Sequence, residues 1–261
     1  MGRTAFLFGR HGSRHSQTSS FTVGLPRSGT NFFQSLLTSL TGRKAVSIYT
    51  ETRAPNLKTH ALSLDYLYRE IDIFDCDVVP NPQLFVLLRD PRDAMISFYD
   101  FFVARGQGSV DQAKFLDIDF FLAFSRGTAK TDLRNTFLEP MSVEDAFRAF
   151  GQNWIPSGGS LGQVVSMLHY EDLLVPKSLN AALVSAKILP PTCTVEETES
   201  HLGHVRKRLV SQYSRDRSGY RGIGFGFKHP EILKGYQELI AATEDRLGDV
   251  IDMFGYRHNN V

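Results

Sequence analysis

Residues 21–37 read FTVGLPRSGTNFFQSLL and join a short apolar run to a segment whose hydrophobic residues have helical spacing. Gly24 and Gly29 have the spacing of the two glycines in the phosphate-binding pattern G-x-x-x-x-G-K-[ST]. The next two residues are Thr and Asn, so the usual lysine is missing, and Arg27 supplies a cation from inside the loop. The amides and the positive dipole end at a helix start predict an anion site. Because the lysine and the metal-binding hydroxyl of an ATPase are missing, we expect a ligand that needs no metal.

Apolar, β-branched runs alternate along the chain with segments of helical periodicity. With the phosphate loop, this alternation predicts an α/β protein: a three-layer P-loop fold with a central, mainly parallel sheet flanked by helices. We expect one domain over residues 21–261, preceded by a flexible or edge segment over 1–20. The expected strands are residues 21–24, 45–49, 84–88 and 164–169. The expected helices are residues 29–40, 62–74, 91–104, 111–125, 143–153, 172–186, 195–211 and 230–254, and a basic, glycine-rich loop is expected over 214–228.

The composition predicts a soluble, cytoplasmic protein. A net charge of +1 over 261 residues argues against a nucleic-acid surface and against a polybasic membrane anchor. No window approaches the roughly 20 apolar residues that a membrane helix needs. Cys76 and Cys193 match no metal-ligand spacing and favour free thiols in a reducing compartment. The first twenty residues contain three arginines and no acid, a composition also typical of an organelle transit peptide.

A second segment, LFVLLRDPRDAMISFYDFF at residues 84–102, combines an apolar run with a helix start. Asp90 and Pro91 begin the helix, so we expect Arg89 at the carboxyl edge of the sheet and Ser97 in the second helical turn. A forked guanidinium and a hydroxyl suit a phosphate group. The alternative is that these charges only decorate a helix start.

These two segments resemble the P-loop sulfotransferases, which transfer a sulfuryl group from 3′-phosphoadenosine 5′-phosphosulfate (PAPS) to a hydroxyl or an amine. Residues 24–33, GLPRSGTNFF, are similar to that family's 5′-phosphosulfate loop, Pro-Lys/Arg-Ser-Gly-Thr-Thr followed by an aromatic residue. The resemblance implies that Arg89 and Ser97 bind the 3′-phosphate. It also implies that the loop binds PAPS through Arg27, Ser28, Gly29, Thr30, Asn31 and Phe32. Asn31 departs from the family's second Thr, and Phe32 lies where the family often stacks the adenine on Trp.

A third segment, LKTHALSL at residues 57–64, resembles the Lys-Thr-His element of cytosolic sulfotransferases. The resemblance implies that His60 is the general base and that Lys58 contacts the phosphosulfate. An imidazole suits proton abstraction because its ordinary pKa lies near neutrality. The interval from Arg27 to His60 is shorter than expected for the cytosolic enzymes. Some members of the family use an acid as the base, so Glu51, just after the predicted second strand, is a second candidate.

Two further segments extend the resemblance toward the C-terminus. RSGYRG at residues 217–222 is similar to the family's Arg-Lys-Gly-x-x-Gly loop, with Ser in place of Lys. It implies 3′-phosphate contacts from Arg217, Ser218 and Gly219. LHYEDLL at residues 168–174 is similar to a Tyr-Glu-Asp element and implies that Tyr170 approaches the adenine. Trp154, the only Trp, is expected in the core.

The resemblance implies sulfuryl transfer from PAPS, leaving PAP as product, with His60, Lys58 and Arg27 as the catalytic residues and no metal. The expected acceptor is a small molecule or a carbohydrate, and we expect no nucleic-acid or membrane partner. Two alternatives remain open. One is a P-loop nucleotide or small-molecule kinase that uses ATP and Mg²⁺. The other is a catalytically degenerate protein that binds PAP or a nucleotide without turnover.

Overall fold

A parallel five-stranded sheet forms the centre of the molecule, with strand order β2-β3-β1-β4-β5. The computed structural model describes residues 20–47, 56–73, 83–104, 110–120, 123, 141–160, 165–215 and 230–256. The strands are β1 Ser20–Gly24, β2 Ala45–Ser47, β3 Asn56–Thr59, β4 Gln83–Leu88 and β5 Val165–His169. The predicted α/β class with a parallel sheet is confirmed.

Helices cover both faces of this sheet. They are α1 Thr30–Thr41, α2 Leu64–Ile73, α3 Pro91–Val103, α4 Val143–Ser160, α5 Pro176–Ser185, α6 Val195–Arg215, α7 Pro230–Gly235 and α8 Gln237–Met253. Two 3-10 helices, Gln112–Asp117 and Asp172–Leu174, lie between them. None of the helices in the described part of the chain is long and apolar enough to cross a membrane.

The three layers follow from the alternation of side chains along buried strands. In β4 every residue is buried, and successive side chains enter different cores. Leu84, Val86 and Leu88 pack in the core that α2, α3, α4 and α8 share. Phe85 and Leu87 pack in the opposite core, with α1, α5 and α6. A continuous apolar run therefore corresponds to a strand covered on both faces.

Strand β3 was missed by the sequence analysis, although it lies inside the sheet between β2 and β1. Its sequence, NLKT, contains a single apolar residue. The buried polar residues find partners far along the chain: Ser20 Oγ donates to Asn56 Oδ1 over 2.8 Å, and Thr59 Oγ1 donates to the carboxylate of Glu70. These distant partners are not visible in the local pattern.

Several predicted helices have different limits. Over residues 112–118 the prediction of an α-helix is wrong, because Gln112–Asp117 form a 3-10 helix and Ile118 is extended, with its carbonyl accepting from Val143 N–H at 2.9 Å. The helix predicted over 172–186 divides at Val175, which is extended before Pro176. The helix predicted over 230–254 divides at Tyr236. Helix α4 passes the predicted end at 153, and α6 continues into the loop predicted from 214.

All the predicted site segments in the described residues follow strands, and parallel strands end at one edge of a sheet. The phosphate loop follows β1, and Arg89 follows β4, its neighbour. The chain leaves β1 into α1 on one face and leaves β4 into α3 on the other. This divergence opens the crevice in which ligands of parallel α/β sheets usually bind.

Candidate functional site

The phosphate loop has two residues in left-handed backbone conformation, Arg27 at φ 69° and Gly29 at φ 96°. A non-glycine residue at positive φ is uncommon, and such residues cluster at functional sites. Neither glycine of the pattern has room for a side chain. A Cβ on Gly29 would lie 2.3 Å from Cδ2 of Tyr170, and a Cβ on Gly24 would lie 2.4 Å from Oγ of Ser28. Gly29 also directly precedes α1, so the free amides of that helix begin at the loop.

Arg89 extends from the end of β4 to the loop, where its Nη1 donates to the Arg27 carbonyl oxygen over 2.8 Å. Its guanidinium carbon lies 4.6 Å from the ring centroid of Tyr170. Within the described residues, neither the buried Nε of Arg89 nor the buried Oγ of Ser28 has a hydrogen-bond partner. Buried polar atoms are normally paired, so these two fit a site for a ligand that accepts hydrogen bonds.

The helix after Arg89 is fixed by a buried ion-pair network. Asp90 caps α3 by accepting from the backbone N–H of Arg92 at 3.0 Å. The Arg92 side chain, only 3% exposed, pairs with Asp90 at 2.7 Å and with Glu244 of α8 at 3.0 Å. Asp90 and Arg92, which the alternative interpretation treated as charge decoration of a helix start, therefore form a buried link between α3 and α8.

Arg27 crosses from the loop to α3. Its Nε donates to Ser97 Oγ over 3.0 Å, and its guanidinium carbon lies 5.1 Å from the ring centroid of Phe101. The resemblance assigns Arg27 to the 5′-phosphosulfate and Ser97 to the 3′-phosphate. In this structure the two side chains contact each other directly.

Phe32 and Tyr170 form an edge-to-face pair with ring centroids 6.1 Å apart. Phe32 is buried, at 5% exposure, and belongs to the core under α1. Burial raises the pKa of the Tyr170 hydroxyl, whereas the positive charge of Arg89 acts in the opposite direction. Adenine stacking on Phe32 stays a prediction.

Lys58 and His60 lie at the end of β3 and contact the phosphate loop and the first turn of α1. Lys58 Nζ donates to Oδ1 of Asn31, the residue that departs from the family pattern. His60 Nδ1 bonds to the carbonyl oxygen of Gly24, and because a carbonyl only accepts, Nδ1 carries the proton. In the neutral ring the lone pair is then on Nε2.

The pKa of His60 is lowered to about 3, first by burial and then by the charge of Lys58, while the Gly24 carbonyl acts in the opposite direction. The imidazole is therefore neutral at physiological pH. With its pKa lowered in this way, it is a weaker base than an ordinary histidine.

Comparison with known proteins gives a structural match but no sequence match. No protein-family model and no curated protein matches the chain. The solved structure of mouse sulfotransferase SULT7A1 complexed with PAP matches with a TM-score of 0.52 and 14% identity, over 92% of this chain and 87% of that one. The fold is a sulfotransferase fold. At this identity the likeness establishes the architecture alone.

Within the sulfotransferase fold, α6 packs beside α1 in the same core. Near the C-terminal end of α1, Ser39 Oγ lies 2.9 Å from His201 Nδ1. Five residues later on α6, Arg206 Nη2 donates to the carbonyl oxygen of Leu174 over 2.9 Å.

Three side chains that the sequence analysis did not assign to the site hold the segment that carries His60. Thr59 donates its hydroxyl proton to Glu70 and accepts from Ala61 N–H at 3.1 Å. Trp154 is in the core, as predicted, and its Nε1 also donates to Ala61 O over 2.9 Å. One signal for Glu70 was available in the sequence: it falls three residues after Leu67, on the buried stripe of α2.

Several predicted residues lie outside the described residues: Glu51, Cys76, Arg217, Ser218, Gly219 and residues 1–19. Their roles stay predictions. Among the described residues, no group of three or more His, Cys, Asp or Glu side chains is placed to hold a metal ion. The expectation that the reaction needs no metal also stays a prediction.

Proposed function

We propose that this protein is a PAPS-dependent sulfotransferase that transfers a sulfuryl group to a hydroxyl or amine acceptor. The observation that carries the proposal is the contact between Arg89 Nη1 and Arg27 O, which joins the two segments assigned to the two anionic ends of PAPS. The unpaired, buried Arg89 Nε and Ser28 Oγ support an anionic ligand at this point, with pairing judged within the described residues. The PAP bound to the mouse structural neighbour supports the same ligand class.

The donor-binding residues divide into two groups. The 5′-phosphosulfate group is bound by Arg27 and by the residues around the start of α1: Ser28, Gly29, Thr30 and Asn31. The 3′-phosphate is bound by Arg89 and Ser97, together with Arg217, Ser218 and Gly219. Phe32 and Tyr170 contact the adenine.

Bound PAPS supplies an activated sulfuryl group and a phosphate leaving group. His60 accepts the proton of the acceptor hydroxyl at Nε2, while its Nδ1–H stays on the Gly24 carbonyl. Lys58 and Arg27 stabilise negative charge at the phosphosulfate end. Most of the catalytic effect comes from position and charge, as in phosphoryl transfer.

The charge of Lys58 is the second cause, after burial, of the lowered pKa of His60. An anion bound at Lys58 offsets that charge and so opposes this smaller part of the pKa shift.

Transfer of label from ³⁵S-PAPS to a panel of phenols, alcohols, amines and sugars tests the proposed function. Thermal unfolding with PAP, PAPS or Mg-ATP separates it from the alternatives, because a ligand that binds only the folded protein raises the unfolding temperature. We expect stabilisation by PAP and PAPS and a labelled product with a small-molecule or carbohydrate acceptor. Stabilisation by Mg-ATP alone indicates a kinase. Stabilisation by PAP without any labelled product across the panel indicates a degenerate binding protein.

A further inference from the structure

Side chains at the end of β3 point alternately to two sides. Lys58 and His60 contact the first turn of α1 and the phosphate loop, whereas Thr59, between them, is fully buried and contacts α2. The position of Thr59 therefore sets the direction of both neighbours. Anything that fixes Thr59 also fixes the two predicted catalytic side chains.

The Thr59 hydroxyl is used as both acceptor and donor. Ala61 N–H can only donate, so Thr59 Oγ1 accepts from it over 3.1 Å and directs its own proton to the Glu70 carboxylate. The bond from Ala61 N–H to Thr59 Oγ1 closes a turn over residues 59–61, with His60 at its centre. Trp154 Nε1 holds the next carbonyl, Ala61 O, over 2.9 Å.

Hydrophobic packing of α2 does not explain why the side chain of Glu70 is buried. It lies on the buried stripe of α2 with Leu67, at 9% exposure, where an apolar residue would add hydrophobic stabilisation. A buried carboxylate is costly unless it is hydrogen-bonded. One partner of this carboxylate is Thr59, the residue between Lys58 and His60.

We propose that Glu70, acting through Thr59, is a positioning residue for His60. The inference rests on the proposed function for its catalytic consequence, but its structural content concerns the orientation of His60 alone. Glu70 keeps the Thr59 hydroxyl in place, and the turn over residues 59–61 then holds the His60 ring against the Gly24 carbonyl. Glu70 does not contact the reacting groups.

Two substitutions of Glu70 separate its hydrogen bond from its charge. Glu70→Gln keeps an acceptor oxygen for Thr59, whereas Glu70→Ala removes it. We expect Glu70→Ala to lower kcat by about 10- to 100-fold with the KM for PAPS changed by less than about twofold, since a small misplacement of a catalytic group has such effects. Glu70→Gln should stay within about threefold of the wild type. Asp72→Asn, an exposed acid on the same helix, is the matched control and should equal the wild type.

A second readout needs neither donor nor turnover. The ¹⁵N resonances of the His60 ring report which nitrogen carries the proton, and we expect Nδ1–H in the wild type, in Glu70→Gln and in Asp72→Asn. In Glu70→Ala the ring should lose the Gly24 bond and show a mixture of tautomers. Thr59→Val removes the same hydroxyl without changing the size of the side chain much, and it replaces Glu70→Ala if that variant does not fold.

The outcomes are distinct. A folded Glu70→Ala or Thr59→Val protein with wild-type ring resonances overturns the inference, as does an equal loss of kcat in Glu70→Gln and Glu70→Ala. If the wild type transfers no sulfuryl group to any acceptor, the proposed function fails, and the ring resonances still decide whether Glu70 positions His60.

Discussion

Arg89 and Arg27 are 62 residues apart in the sequence, and the guanidinium of the first binds the backbone carbonyl of the second at 2.8 Å. This bond connects the loop after β1 with the end of β4, which is the neighbouring strand of the sheet. Two cationic residues from separate segments thus adjoin one edge of the sheet, next to the free amides of α1. The predictions below depend on this arrangement.

Arg89→Ala should weaken PAP binding. Loss of a charge-assisted hydrogen bond typically costs about 1.5–3 kcal/mol, so we expect the Kd to rise about 10- to 150-fold in calorimetry. Arg89→Lys keeps the charge but loses the fork and should be intermediate. Arg69→Ala, an exposed arginine on α2, is the control. Unchanged PAP affinity in Arg89→Ala would remove this residue from the donor site.

Two glycine substitutions should have opposite effects on stability. Gly29→Ala requires a side chain at φ 96° and within 2.3 Å of Tyr170, so it should lower the free energy of unfolding by at least about 1–2 kcal/mol. Gly203 lies within α6 with nothing within 4 Å of an added Cβ, so Gly203→Ala should raise it by about 0.5–1 kcal/mol. Urea unfolding measures both. Equal stability of Gly29→Ala and the wild type would contradict the close contact with Tyr170.

His60→Ala should lower turnover without removing donor binding. Loss of a general base costs a factor on the order of 10²–10⁴ in kcat. Because the proposed donor contacts come from Arg27, Arg89 and the loop amides rather than from this ring, the Kd for PAP should change by less than about fivefold. Single-turnover kinetics and calorimetry measure the two quantities separately. A variant with full turnover would exclude His60 as the base.

His60 should also make stability depend on pH in the acid range. Its folded pKa of about 3 lies below its ordinary value, so between these two values the unfolded chain binds a proton that the folded chain does not. The neutral form is fully compatible with folding above about pH 6.5, and stability is lost as the pH falls toward about 3. Urea unfolding of the wild type and of His60→Asn at a series of pH values measures the difference. Between about pH 6.5 and 4 the free energy of unfolding should fall more in the wild type than in His60→Asn. If the two proteins lose stability in parallel over this range, the burial of a neutral His60 ring is contradicted.

The sequence predicted the parts of the site that follow clear local signals. An apolar run, a glycine spacing and a helical pattern located the loop that contains Arg27, and a Pro at the first helical position located Arg89 just before α3. Polar residues inside the core could not be found in this way. β3 was missed because Asn56 and Thr59 are buried against partners 36 and 11 residues away.

The contact between Arg27 and Ser97 also had no local signal, since 70 residues separate them. The Lys58 segment was found only through resemblance. Its contacts to Asn31 and Gly24 depend on how strands pair, and a periodic pattern does not specify pairing. The position of Glu70 was visible as an acid on an apolar stripe, but its partner was not.

The place of β1 between β3 and β4 has a consequence for synthesis on the ribosome. β1 emerges first among the five described strands, and both of its edges stay uncovered until β3 and β4 have been translated. Unpaired strand edges and exposed Phe21 and Val23 are recognised by chaperones and favour aggregation. The phosphate loop is thus translated before Arg89, whose side chain binds the Arg27 carbonyl of that loop in the folded protein.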